Sequence, residues 1–162
     1  MSSNEINENI LDSTNYLLDK KIWDKYNMTK TREKVIDCLK DYKEARALSV
    51  HSITNVSNNL TSKLDPNKVF SAVKSNKNGF ADLSDAIMDA EEMVRTMTPV
   101  INTLKNSFTE DEIIFYEYCL ATNHSEIQVC SKLKCDSVTG LLPIKNSCIL
   151  KFAFAFNLQV KK

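Results

Sequence analysis

The chain has 162 residues, 43% hydrophobic and 26% charged, and its 21 basic and 21 acidic side chains leave a formal net charge of zero. That composition suits a globular protein of one or two small domains with a proper core, and it argues against a strong nonspecific nucleic-acid binder. No apolar run approaches the ~20 residues of a membrane span. With 2 glycines, 3 prolines and no alternating β-branched segments, the expected fold class is all-α.

In chain order, a polar start gives way to Ile10, Leu11, Tyr16, Leu17, Leu18, Ile22, Trp23 and Tyr26. Their spacing predicts a helix near 8–26. Thr29-Lys30-Thr31 is a capping signal for a helix near 30–50, in which Val35, Ile36, Leu39, Tyr42, Ala45 and Leu48 recur three or four apart. Its outer face mixes Lys30, Arg32, Lys34, Lys40, Lys43 and Arg46 with Glu33, Asp37, Asp41 and Glu44. A solvated face is the favoured reading there, ahead of a second surface for a DNA backbone. Residues 52–79 are loop-rich, with Asp65-Pro66-Asn67 and Asn76-Lys77-Asn78-Gly79 as turn formers and Val69, Phe70 and Val73 hinting at a short helix. A helix follows over 81–104, with Leu83, Ala86, Ile87, Ala90, Met93, Val94 and Met97 on one face. Pro99 is expected to end or bend it. The methionines at 88, 93 and 97 read as core.

The sharpest local signals lie after residue 105. Phe108-Thr109-Glu110-Asp111-Glu112 has capping-box spacing, and Phe108 with Ile113 offers a hydrophobic staple. Ile114, Phe115, Tyr118 and Cys119 continue at helical spacing. After a break at Asn123-His124, Ser125-Glu126 opens a short helix carrying Ile127, Val129, Cys130 and Leu133. Lys134, Cys135, Asp136 and Ser137 form a second break. A third helix holds Lys145, Ile149, Leu150, Phe152, Ala153 and Phe156. Helix, short helix, tight turn and longer helix is the order of a DNA-reading trihelical unit. Pro143 either sits in the first turn of a third helix begun near Leu142 or kinks a longer one, and the capping residues from Asp136 to Leu141 favour the first.

Charge is segregated along the chain. Ser125–Lys162 carries six lysines against Glu126 and Asp136, a local +4, whereas Phe80–Glu117 is strongly acidic. The basic stretch suits DNA and the acidic one a basic protein surface, although solvated helix faces account for both equally well. The odd cysteine count (38, 119, 130, 135, 148) and the lack of a signal peptide point to free thiols in a reducing cytoplasm. Cys130, Cys135 and His124 lack the spacing of a zinc knuckle. His51 and His124 stand near no nucleophile, no glycine-rich loop can cradle phosphate, and Asp85 with Asp89 reads as a solvated face. No enzyme activity, cofactor or metal is expected.

FTEDEIIFYEYCL at 108–120, SEIQVCSKLKC at 125–135 and IKNSCILKFAFAFNLQV at 144–160 resemble the C-terminal module of the ArpU/RinA family of phage late-gene transcriptional regulators. That module is itself similar to the fourth region of bacterial sigma factors. Lys30-Thr31-Arg32-Glu33-Lys34-Val35 more weakly resembles the family's early helix, and the chain departs from the family at Gly140-Leu141-Leu142-Pro143. The resemblance implies an N-terminal helical region (1–105) and a sigma-region-four-like helix-turn-helix domain (106–162). It implies a sequence-specific DNA-binding activator of phage late (packaging and lysis) genes, working in the bacterial cytoplasm with host RNA polymerase. Its ligand would be double-stranded DNA of the late promoter region. Lys132 and Lys134 would hold phosphates, and Ser137, Thr139, Lys145 and Asn146 would face base edges, with Lys151 also among the DNA-binding residues. Phe152, Phe154 and Phe156 cannot all face one way, so one is expected to meet the N-terminal half or a second subunit of a homo-oligomer. Two alternatives remain open: a protein-interaction module with a degenerate helix-turn-helix, and a phage DNA-packaging subunit.

Overall fold

The computed structural model describes residues 16–58 and 79–162, which are mostly helical and contain no strand. Six α-helices are present among them: α1 (Lys20–Trp23), α2 (Met28–Asn58), α3 (Gly79–Lys105), α4 (Glu110–Phe115), α5 (Glu126–Leu133) and α6 (Val138–Ala155), with α4 continued by a π-helical stretch, Tyr116–Ala121. Ile10, Leu11 and the Val69-Phe70-Val73 stretch lie outside the described residues.

The described residues form two compact units, one from the chain up to Leu39 together with Pro99–Lys162, the other Lys40–Thr98. Thr31, Val35 and Leu39 of α2 and Ile101 and Leu104 of α3 are buried within the first unit. In the second unit the Tyr42 hydroxyl pairs with Thr98 Oγ1 at 2.8 Å, and Tyr42, Ala45 and Ala90 are buried. Met88 and Met93 are 64% and 37% exposed, against the expectation of core. Small Ala90 is the buried member of that stripe, so the longer side chains to either side of it stay near the surface.

Several expected boundaries move. Residues 8–15 of the helix expected near 8–26 lie outside the described residues; within 16–26 the α-helix is α1, and before it the Leu18 amide donates to Ser147 Oγ at 2.7 Å and the Leu18 carbonyl accepts from the Trp23 indole at 3.2 Å. Those bonds hold the approach to α1 extended. Asn27 caps α2, its side-chain oxygen accepting from the Lys30 amide at 3.1 Å, while Thr31 is buried and accepts from the Val160 amide at 3.0 Å. Without a proline or glycine to stop it, α2 runs on to Asn58, into the segment expected to be loop. Pro99 lies inside α3 without ending it; being exposed, it leaves the carbonyl one turn back open to solvent.

The C-terminal half follows the expected order closely. Thr109 accepts from the Glu112 amide and Glu112 accepts from the Thr109 amide, completing the capping box. A second capping box joins Ser125 and Gln128 at the start of α5. Lys134 ends α5 in the left-handed region (φ 54°), with the Cys135 amide donating to the Cys130 carbonyl at 3.0 Å, a close that usually falls to glycine. Ser137 caps α6, its hydroxyl accepting from the Gly140 amide. Phe152 stacks on Phe156 (centroids 4.6 Å apart) and lies near Tyr116, while Phe154 meets Tyr26 edge-on at 5.4 Å. The phenylalanine that turns toward the early chain is therefore Phe154. The tail closes the unit: the Asn27 amide donates to the Val160 carbonyl at 2.7 Å, and the Lys162 amide to the Lys25 carbonyl at 3.3 Å.

Because α6 begins at Val138, Pro143 stands at its sixth position rather than in its first turn, correcting the sequence expectation. The capping residues there serve Ser137, not Leu142. Pro143 is exposed, so the orphaned Thr139 carbonyl can turn to water. Replacing it should restore one helix bond and relieve ring crowding, which in a helix interior is worth up to ~3 kcal/mol. Pro143→Ala is expected to raise the urea midpoint clearly, and an unchanged or lowered midpoint would contradict the interior placement.

Candidate nucleic-acid interface

The short helix α5 and the longer α6, joined by Lys134–Ser137, are held by polar contacts at two places. The first is fully buried. Glu112 (0% exposed) receives hydrogen bonds from Lys151 Nζ at 2.7 Å, the Thr109 amide at 2.8 Å and the Ser147 hydroxyl at 2.5 Å. Lys151 (2% exposed) also donates to the Ser107 carbonyl at 2.8 Å and stands 5.9 Å from the centre of the Phe108 ring. Ser147 in turn accepts from the Leu18 amide. Each charge thus has several partners, as a buried pair requires. Cys148, beside it, is buried and its thiol is pushed well up, chiefly by desolvation.

The second place lies nearer the surface. Glu126, the first residue of α5, accepts on one oxygen from both Arg32 (2.7 Å) and Lys145 (2.8 Å). Burial pulls its pKa upward, but the hydrogen bonds and charges of Lys145 and Arg32 win and hold the carboxyl below its ordinary value.

Together these contacts divide α6 in two. From Ile144 to Phe154 its residues are buried or, like Lys145, largely so, whereas Val138, Thr139, Gly140, Leu142 and Pro143 are exposed and Leu141 alone of the first turns points inward. Among the candidates for DNA contact, Lys132, Lys134, Ser137 and Thr139 are exposed. The other three are turned away from solvent. Lys145 is 16% exposed and tied to Glu126; Asn146 is 6% exposed; Lys151 is enclosed with Glu112. Lys132 Nζ lies 4.3 Å from the centre of the Tyr118 ring, and neither Lys132 nor Lys134 forms an ion pair among the described residues.

No protein-family model, curated protein or solved structure matches this chain. The likeness to the ArpU/RinA regulators therefore rests on the residues quoted for it above. All five cysteines are free, no group of three or more metal-ligating side chains occurs among the described residues, and no helix among them is long and apolar enough to cross a membrane.

The Glu112 network escaped the sequence reading, although a signal was present. Lys151 interrupts the apolar run Ile149-Leu150-Lys151-Phe152-Ala153, with Ser147 one turn before it. A lysine so placed must be buried, and a buried lysine needs a carboxylate. Lys151→Met should cost about 3–5 kcal/mol by leaving Glu112 buried and uncompensated, while the double variant Glu112→Gln/Lys151→Met should recover part of that loss. Equal, additive losses in denaturant titrations would show that the two side chains do not act as a pair.

Glu126 gives a pH-dependent expectation. Its folded pKa is below the unfolded value, so its contribution is complete above about pH 4.5 and is lost as pH falls through the lower folded value. The stability gap between wild type and Glu126→Gln should therefore close on acidification below about pH 4.5. A gap that stays constant down to acid unfolding would contradict the pairing with Lys145 and Arg32.

Proposed function

We propose that this chain is a helix-turn-helix DNA-binding protein that activates phage late genes together with host RNA polymerase. The observation that carries the DNA-binding part is the exposed amino-terminal end of α6, presented beside a short capped helix and flanked by Lys132 and Lys134. In trihelical readers the amino-terminal residues of the second motif helix contact base edges, and that helix end must be open. Here α6 is closed at its carboxyl end and open at its start. The two lysines that flank it form no ion pair among the described residues, which suits modest affinity dominated by position rather than by charge. The activator role and the polymerase partnership come from the family resemblance alone.

One observation favours the second reading, a protein-interaction module. Ile127 (72% exposed), Val138 (44%) and Leu142 (40%) are apolar side chains on α5 and the start of α6, and such residues also suit a protein partner.

The two separate in a binding titration. Full-length protein should bind late-promoter duplex more tightly than packaging-site or unrelated duplex of equal length. Lys132→Ala/Lys134→Ala should weaken binding to every duplex and lower the salt slope by roughly two counterions, with the helical content unchanged. Unaltered affinity in that variant, or no binding to any duplex, would reject the DNA-binding reading.

A further inference from the structure

We infer that this chain recognises its duplex through thymine methyl groups, with Val138 and Leu142 as the specificity-determining residues; the inference rests on the DNA-binding reading above. The side chains that read bases by paired hydrogen bonds are withdrawn from the open end of α6. Asn146 is buried, Lys145 is engaged by Glu126 and Lys151 by Glu112. What stays exposed at the cap and first two turns is Ser137, Val138, Thr139, Gly140, Leu142 and Pro143. None of these offers an amide, a carboxylate or a cation. The Ser137 hydroxyl is already used as the helix cap.

Val138 and Leu142 are four residues apart, so they share one face of the helix with their Cβ atoms about 6 Å apart. That separation covers roughly two base-pair steps at about 3.4 Å each. In the major groove thymine alone presents a methyl group, whereas G·C pairs present acceptors and a donor. Apolar side chains set against a G·C edge would strip water from those groups and return no hydrogen bond, which is unfavourable. Set against thymine methyls, they bury apolar surface on both partners. The occupant is a duplex rather than an apolar protein surface because Lys132 and Lys134, six and four residues before Val138, stand exposed without ion-pair partners among the described residues. A phosphate backbone supplies the charge they lack. Asp136, exposed between Lys134 and Ser137, keeps phosphates away from the turn itself and so places them to the sides.

The test is selection from a randomised duplex pool with the full chain, followed by remaking the enriched duplexes with deoxyuridine in place of thymidine. Uracil pairs as thymine does but lacks the methyl group. Enriched sequences should share adjacent A·T pairs, and loss of each contacted methyl should weaken binding about fourfold. Leu142→Ala and Val138→Ala, both at exposed positions, should bind thymidine and deoxyuridine duplexes more nearly alike while keeping the wild-type circular dichroism. Equal affinity of the wild type for both duplexes, or a consensus fixed by G·C pairs, would overturn the methyl reading and leave DNA binding standing. A pool with no enrichment would overturn both.

Discussion

The buried pair of Glu112 and Lys151, bridged at its other oxygen by Ser147, sets the arrangement of the unit that contains α4, α5 and α6. One carboxylate caps α4 through the Thr109 amide, fixes the middle of α6 through two residues one turn apart, and through Ser147 holds the extended chain at Leu18. Because Ser147 and Lys151 must both face Glu112, α6 cannot rotate about its axis without exposing or orphaning a charge. A buried ion pair of this kind adds little net stability over a well-packed apolar substitute. Its value lies in allowing one rotation of α6 and excluding others.

That rotation determines which residues meet solvent at the open end of the helix. It turns Leu141, Ile144 and Asn146 inward and leaves Val138, Thr139 and Leu142 outward. Glu126 acts in the same sense on the other side, drawing Lys145 and Arg32 into a partly buried cluster. Of the six lysines that mark the last 38 residues in sequence, Lys145 and Lys151 are therefore drawn inside the protein, while Lys132, Lys134, Lys161 and Lys162 stay exposed. The start of α6 exposes Val138, Thr139 and Leu142, and Lys132 and Lys134, just before it in the chain, form no ion pair among the described residues.

The sequence made much of this legible and obscured a specific part. Thr109 and Glu112, and Ser125 before α5, announce their helix starts because capping depends on local spacing alone. The all-helical class follows from the periodicity of Val35, Leu39 and Tyr42 and the scarcity of glycine and proline. The start of α6 was misplaced because Pro143 looks like a first-turn residue, and only the tertiary placement of Leu141, 0% exposed, draws the helix back to Val138. The stretch near 8–26 reads as one helix because its apolar spacing is helical, but at Leu18 the long-range hydrogen bond to Ser147 overrides it. Lys151 reads as one of the DNA-binding residues because a lysine's partner 39 positions away leaves no local trace. The π-helical stretch Tyr116–Ala121 has no sequence signature that we can identify.

The most direct test of the division of α6 is a titration of isotopically labelled protein with the duplex it binds best, following backbone amide and methyl resonances. Val138, Thr139, Leu142 and the neighbouring Lys132 and Lys134 should shift on binding, while Asn146, Ser147 and Lys151 hold their positions and remain protected from hydrogen exchange. Shifts centred on Lys145, Asn146 and Lys151, with loss of that protection, would contradict the account, because they would require α6 to rotate out of its contact with Glu112.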